Sequence, residues 1–314
     1  MKTNIENENT VMLGTWSWGD EGFFGEGFSR EELFSVFRKA VSEGFTLWDT
    51  AYVYGYGRSE ELLGGFMKDI PSDDYCISDK FTPYHAKEFP GNSVKLMYEE
   101  SLRHLGREHI DIYWIHNPID YKKWLPYMAE LCREGYISEI GLSNFGLEEL
   151  KDAESILAKY GIKPYGVQNH YSLLSRSSET AGIIDYCKRR GIHFFSYMVL
   201  EQGALTGKYA ASNPFKTASG RAKNYNKVLP GYEELNSKLG KIAEGYGISI
   251  AALSIAWALS KGTVPIIGVT KEKHIDDILA AREVKLSQED IAAAEAAAAA
   301  SGLRTIRMWE REYK

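Results

Sequence analysis

Two rhythms of apolar residues alternate along the chain. Short runs of aliphatic and aromatic residues, the pattern of buried strands, recur at 11–18, 45–48, 75–81, 110–116, 137–143, 165–170, 193–199 and 264–269. Between them the apolar spacing opens to three and four residues, as on one face of a helix. Helices are expected at 29–43, 59–68, 93–105, 123–133, 147–160, 179–190, 232–244, 250–260 and 271–280, and Ser287 opens a last, alanine-rich helix expected on the surface. The first of these begins with a capping box, Ser29-Arg30-Glu31-Glu32, and carries Leu33, Val36, Phe37 and Ala40 on one face. Met1 to Thr10 is polar and expected to fray.

Eight strands, each followed by helical pattern, predict a single parallel (β/α)8 barrel domain over 1–314, a TIM barrel with extra helices after strand seven and at the carboxyl terminus. A doubly wound open sheet is the rival. It would place a glycine-rich nucleotide fingerprint after strand one, where this chain has Gly19-Asp20-Glu21-Gly22. The nearest match, Gly55-Tyr56-Gly57-Arg58-Ser59-Glu60, follows strand two and has Glu60 in place of the third glycine. The barrel is the better reading.

Composition narrows the partners. A net charge of −6 gives no electrostatic reason to expect nucleic acid or an anionic membrane surface. No apolar run approaches a membrane span in length. The three cysteines, Cys76, Cys132 and Cys187, are too far apart for a metal or redox motif, and no metal is expected. With no secretory leader in view, a reducing cytoplasm is expected, and the protein as a monomer or small homo-oligomer.

Chemistry concentrates at strand ends. Period two puts Leu47 with Asp49, Ser78 with Lys80, and Trp114 with His116 on the inward faces of strands two, three and four. These polar residues close their strands and converge at the carboxyl-terminal mouth, where this fold keeps its active sites. Tyr54 follows in the glycine- and tyrosine-rich loop after Asp49. Taken singly, Asp49–Lys80 reads as a structural ion pair and His116 as a core histidine. Together on adjacent strand ends, they read as an active site.

On these residues the sequence resembles the aldo-keto reductases, nicotinamide-dependent carbonyl reductases built on this barrel. The likeness rests on Asp49-Thr50-Ala51 with Tyr54-Gly55, on Lys80, and on Ser101-Leu102-Arg103-His104-Leu105 leading to Asp111 and His116. It continues through Gly141-Leu142-Ser143-Asn144 and Gly203-Ala204-Leu205-Thr206-Gly207-Lys208. The resemblance implies hydride transfer to a carbonyl carbon, with Asp49, Tyr54, Lys80 and His116 catalytic. Tyr54 is the group suited to act as acid, its pKa lowered by Lys80, which Asp49 holds charged. His116 as a neutral donor orients the carbonyl; relatives with glutamate there reduce an activated carbon–carbon double bond.

For the coenzyme, the resemblance assigns Ser143, Asn144 and Gln168 to the carboxamide and Tyr197 to stacking on the nicotinamide. Gly14, Thr15 and Trp16 fall near the ribose. Leu200, Gln202, Gly203, Leu205 and Lys208 cover the pyrophosphate, and Gly268, Thr270 and His274 belong to the adenosine end. The family leans to NADP(H), which is favoured here; many relatives carry arginine in place of His274 and asparagine in place of Ile278, and these departures make NAD(H) the alternative. Met198-Val199 likewise replaces the usual Ser-Pro before Leu200. The substrate pocket is expected from Trp16, Trp18, Phe23, Tyr54, Tyr84 and His116, with Met308-Trp309 reaching toward it. These aromatic walls suit a flat or lipophilic aldehyde or ketone. A nucleotide-holding regulatory subunit of slow turnover is the alternative function. A coenzyme-free isomerase or lyase using Asp49 and Lys80 is a third, which Gln168 and Tyr197 disfavour.

Overall fold

The computed structural model describes residues 9–19, 21–25, 27–71, 74–304, 307 and 310–314. Residues 1–8, with most of the segment expected to fray, and Met308-Trp309 lie outside the described residues. Eight parallel strands close into a barrel in sequence order: β1 Met12–Gly14, β2 Leu47–Asp49, β3 Cys76–Phe81, β4 Ile110–Ile115, β5 Ile137–Ser143, β6 Gly166–His170, β7 His193–Tyr197 and β8 Val264–Gly268. The ring closes through β1, whose Leu13 pairs with Trp48 of β2 and with Ile267 of β8.

Helices in chain order are α1 Trp16–Gly19, α2 Glu21–Phe24, α3 Arg30–Ser42, α4 Arg58–Met67, α5 Ser93–Leu105, α6 Tyr121–Arg133 and α7 Leu147–Ala158. They continue as α8 Ser177–Thr180, α9 Ile183–Arg190, α10 Gly220–Tyr225, α11 Leu229–Gly245, α12 Ile250–Ser260, α13 Glu272–Glu283 and α14 Gln288–Ala300. The capping box of α3 is formed, with Ser29 and Glu32 satisfying each other's backbone N–H. The expected helix over 179–190 is two helices, because Gly182 turns left-handed at φ +73. The first strand is also shorter than expected. It stops at Gly14, and Trp18 N donates to Thr15 O at 2.9 Å to begin a helical turn.

Alternation fills the barrel. Met12, Leu47, Cys76, Ile112, Trp114, Phe195, Val264 and Ile266 form an interior cluster separate from the outer core between strands and helices. Two inward positions are glycine for a steric reason. A Cβ on Gly141 would overlap the Trp114 indole, and one on Gly166 would overlap the Phe195 ring. The two rings meet edge to face at 5.1 Å and close the barrel beneath the mouth.

α12 is apolar on every side and accordingly buried. No single described helix is long and apolar enough to cross a membrane. α14 lies on the surface as expected, with Ala292, Ala293, Ala296, Ala299 and Ala300 exposed, and packs inward along one face. Ile291, Ala294 and Ala298 are buried on α11, and Glu295 accepts hydrogen bonds from Trp257, Arg176 and Lys261. Small alanine side chains let this helix approach closely.

Candidate active site

β2, β3 and β4 end side by side, with Asp49 opposite Ser78 and Lys80 opposite Trp114 in the register. This brings the polar residues together inside the mouth. Lys80 is fully buried and donates to Asp49 Oδ2 and Thr50 O, both at 2.7 Å. The other carboxylate oxygen of Asp49 accepts from Ser78 Oγ at 2.7 Å and Gln168 Nε2 at 3.2 Å. A buried charge costs several kcal/mol unless paired and hydrogen-bonded, and here both charges are. Burial pulls the Lys80 ammonium down, but Asp49 and Tyr54 outweigh it and raise it above its ordinary value.

Tyr54 is carried by a tight turn packed against α1. Gly55 adopts φ +73 and touches Gly19 so closely that a Cβ would overlap the Gly19 carbonyl. The Lys80 ammonium lies 4.8 Å from the Tyr54 ring centroid. The sequence suggested a lowered tyrosine pKa; the structure points the other way. Burial pushes the phenol up to about 12, and Lys80 only partly offsets it. Tyr54 is therefore a protonated donor at neutral pH. His116 meets it edge-on at 6.0 Å. Burial, Lys80 and His85 hold the imidazole neutral, well below its ordinary pKa.

A cavity of about 1060 Å³ opens above these groups. Its lining includes Gly14, Trp16, Phe23, Asp49, Tyr54, Tyr84, His116, Ser143, Asn144, Gln168 and Tyr197. Leu200, Gln202, Gly203, Lys208, Gly268, Thr270 and His274 extend it along the far side. Lys80 sits behind the lining, under Tyr54. Three other expected residues do not line it. Trp18 is 1% exposed, packs on Trp48 and Phe66, and donates from Nε1 to Val269 O at 2.6 Å. The cause is α1: on a helical turn Trp16 and Trp18 point apart, so only Trp16 reaches the mouth. Thr15 is buried with its hydroxyl on Asp49 O at 2.9 Å. Leu205 is buried in the outer core.

The cavity has an aromatic end and a polar end. Trp16 stacks on Phe23 at 5.0 Å and on Tyr54 at 5.8 Å, and Phe24 meets it edge-on. Tyr84 is 72% exposed and forms rim, not wall. Opposite, Asn144 stands at φ +65, donating to His116 O at 2.9 Å and accepting from Tyr197 Oη at 2.6 Å. Ser143 and Gln168 join it, so amide and hydroxyl groups surround the Tyr197 ring, a set suited to a flat ring bearing a carboxamide. At the far end His274 accepts from Thr270 N at 3.1 Å. Burial, with Lys208 and Lys271 adding to it, lowers the His274 pKa and keeps the ring neutral, so positive charge there comes from the neighbouring lysines. Ile278 is fully buried and takes no part.

The match of the aldo/keto reductase family model to residues 10–299 agrees with this geometry. The chain belongs to the aldo/keto reductase family. Among its relatives, the chloroplastic pyridoxal reductase of Arabidopsis thaliana is 32% identical over 295 residues, covering 88% of this chain and 80% of that one. A putative aryl-alcohol dehydrogenase of Schizosaccharomyces pombe is 29% identical, with 90% of both chains covered. Among solved structures, a thermostable aldo-keto reductase crystallised with the inhibitor epalrestat has a TM-score of 0.74 at 28% identity, covering 91% of this chain and 94% of its own. The glycerol dehydrogenase of Gluconobacter oxydans has a TM-score of 0.79 at 25% identity, covering 95% and 94%.

Around Gln202, which the sequence had singled out, the structure gathers further residues that sequence reasoning missed. Met198, Glu201 and Gln202 have positive φ, a conformation costly for side chains of this kind. Buried ion pairs pin that loop. Glu201 accepts from His170 Nε2 at 2.8 Å and Arg307 Nη2 at 3.0 Å, and Glu310 lies 3.2 Å from His170 Nδ1 and pairs with Arg307. Against burial, these two carboxylates raise the His170 pKa to about 9. The His170 ring stacks on Tyr197 at 5.7 Å, and Arg311 donates to Asn144 O at 3.1 Å. The carboxyl-terminal segment thus braces the polar end of the cavity. Arg307 and Glu310 carry no motif, and only their burial exposes the role.

Proposed function

We propose that this chain is an NADP(H)-dependent oxidoreductase that reduces an aldehyde or ketone to an alcohol, acting on a flat aromatic or lipophilic carbonyl. The observation that carries the reading is the buried Asp49–Lys80 pair beneath a protonated Tyr54, with a neutral His116 beside it in one cavity. A nicotinamide fits the residues present. Gln202 has an amide whose nitrogen and oxygen are buried without a partner among the described residues, and it lines the cavity with Lys208, so these two would hold a diphosphate. Names in the family support the same coenzyme and substrate class: a Schizosaccharomyces pombe relative at 28% identity is named for NADP(+), and others for pyridoxal and aryl alcohols.

When bound, the reduced nicotinamide supplies a hydride to the carbonyl carbon. Tyr54 Oη gives its proton to the carbonyl oxygen as that oxygen gains negative charge. The Lys80 ammonium stabilises the phenolate left behind, and Asp49 keeps Lys80 charged and in place. His116 donates a hydrogen bond to the same oxygen. Trp16, Phe23 and Phe24 hold the apolar body of the substrate and exclude water. Tyr54 is protonated near neutral pH, as reduction requires; oxidation of an alcohol requires the phenolate, which burial disfavours.

The test is nucleotide binding by fluorescence quenching, then a screen of aromatic aldehydes for oxidation of NADPH. Tyr54→Phe should bind NADPH as the wild type does and lose turnover by about 10²- to 10⁴-fold. Failure of the wild type to bind either NADPH or NADH would end the proposal.

A further inference from the structure

We infer that Thr82 is a positioning residue that selects the tautomer of His116, presenting Nε2–H to the substrate carbonyl; this rests on the carbonyl-reductase reading above. Thr82 follows the last residue of β3, and His116 the last residue of β4. The strand pairing runs one residue further there, with His116 N donating to Phe81 O at 2.9 Å. Both residues are held by their backbones. Thr82 N donates to Met97 Sδ at 3.3 Å, and His116 O accepts from Asn144 Nδ2 at 2.9 Å. In this frame Thr82 Oγ1 lies 3.0 Å from His116 Nδ1.

The direction of that hydrogen bond follows from counting partners. Thr82 is 6% exposed, and among the described residues its hydroxyl has no other hydrogen-bond partner. If Nδ1 carried the proton, it would donate to Oγ1, and the hydroxyl hydrogen would have no protein acceptor among the described residues, only the cavity. An unsatisfied buried donor is costly, while a satisfied one is not. If Nδ1 is bare, Thr82 O–H donates to it and every group is satisfied. The imidazolium is disfavoured by burial, by Lys80 and by His85. The remaining state is the neutral imidazole with its proton on Nε2.

His116 lines the cavity beside Tyr54, so that proton is offered where a carbonyl oxygen accepts it. The other neutral tautomer would turn a lone pair toward the oxygen and repel it. Thr82 also lines the cavity, but its hydroxyl lies on His116 Nδ1, and through that contact it acts on the reaction by way of His116. Its hydroxyl also polarises the ring only weakly, so His116 remains a hydrogen-bond donor and the transferred proton comes from Tyr54.

The experiment compares wild type with Thr82→Val, which keeps the shape and removes the hydroxyl, and Thr82→Ser, which restores it. Nitrogen-15 NMR of histidine-labelled protein without coenzyme should show His116 protonated at Nε2 and bare at Nδ1 in the wild type and in Thr82→Ser. Thr82→Val should show a mixture of tautomers. With NADPH and an aromatic aldehyde, Thr82→Val should lose about tenfold in kcat, with the NADPH dissociation constant unchanged and Thr82→Ser close to wild type. A wild-type His116 protonated at Nδ1 would overturn the inference, as would an unchanged tautomer and kcat in Thr82→Val. Absence of NADPH binding by the wild type would instead strike the carbonyl-reductase reading, and the NMR comparison would still decide the tautomer.

Discussion

Replacing Lys80 by methionine separates catalysis from folding. The ammonium lies 4.8 Å from the Tyr54 ring centroid. At that distance, with an effective dielectric constant of about 20, its attraction for a phenolate is about 3.5 kcal/mol, or about 2.5 units of tyrosine pKa. Burial already holds Tyr54 at about 12 with the lysine present. Removing the ammonium pushes the phenol further up and takes away the charge that stabilises the developing phenolate. If half of that charge has formed in the transition state, kcat for reduction falls by about 20-fold, and alcohol oxidation, which needs the full phenolate, falls by about 300-fold. Lys80→Met also strands Asp49, which is 3% exposed, at a stability cost of about 3–5 kcal/mol. The double variant Asp49→Asn, Lys80→Met removes that stranded charge while Ser78 and Gln168 still contact residue 49. It should recover most of the stability and none of the activity. The assay is steady-state kinetics in both directions across pH, beside urea denaturation. Recovery of kcat together with stability would refute the reasoning, because Lys80 would then be a structural residue only.

Three further outcomes follow from particular contacts. Trp16→Ala should raise KM for aromatic aldehydes by about tenfold and leave a small aliphatic aldehyde little changed, whereas Trp18→Ala should lower stability by about 3–5 kcal/mol with folded-state kinetics intact; equal kinetic effects would contradict the separation of the two indoles. Glu60 is buried beside Asp79, and burial raises its pKa to about 7 from an ordinary 4.5. Glu60 and Asp79 are both raised above their unfolded values, so the stability conferred by the proton they hold is complete below pH 4.5 and lost as pH rises through about 7. Urea denaturation at pH 5 and pH 8 should show that fall, and Glu60→Gln should flatten it; an equal slope in the variant would place the proton elsewhere. Glu310→Gln leaves His170 and Arg307 to share Glu201 alone, and should raise the NADPH dissociation constant by about tenfold in a quenching titration. Unchanged binding would mean that the carboxyl-terminal segment does not brace the coenzyme end.

The sequence by itself determined the barrel and brought forward Asp49, Tyr54, Lys80 and His116 as its candidate site. Alternation in short apolar runs set which residues face inward, so Asp49, Lys80 and His116 could be placed at one mouth from period two alone. The family resemblance, through Gly141-Leu142-Ser143-Asn144, carried the proposed carboxamide set of Ser143, Asn144 and Gln168, of which Ser143 ends β5, Asn144 follows it and Gln168 lies within β6. Tertiary structure decided the rest, for reasons that do not lie along the chain. Trp16 and Trp18 are two residues apart, and which one reaches the cavity depended on strand one giving way to a helical turn at Thr15. The direction of the Tyr54 pKa depended on how deeply the ring is buried against how close Lys80 stands, and burial won. Thr82 and His116 are 34 residues apart, and Glu201 and Arg307 are 106 apart. A hydrogen bond or buried ion pair between such residues leaves no periodicity to read, since it is made only when the barrel closes and removes the water that would otherwise satisfy them.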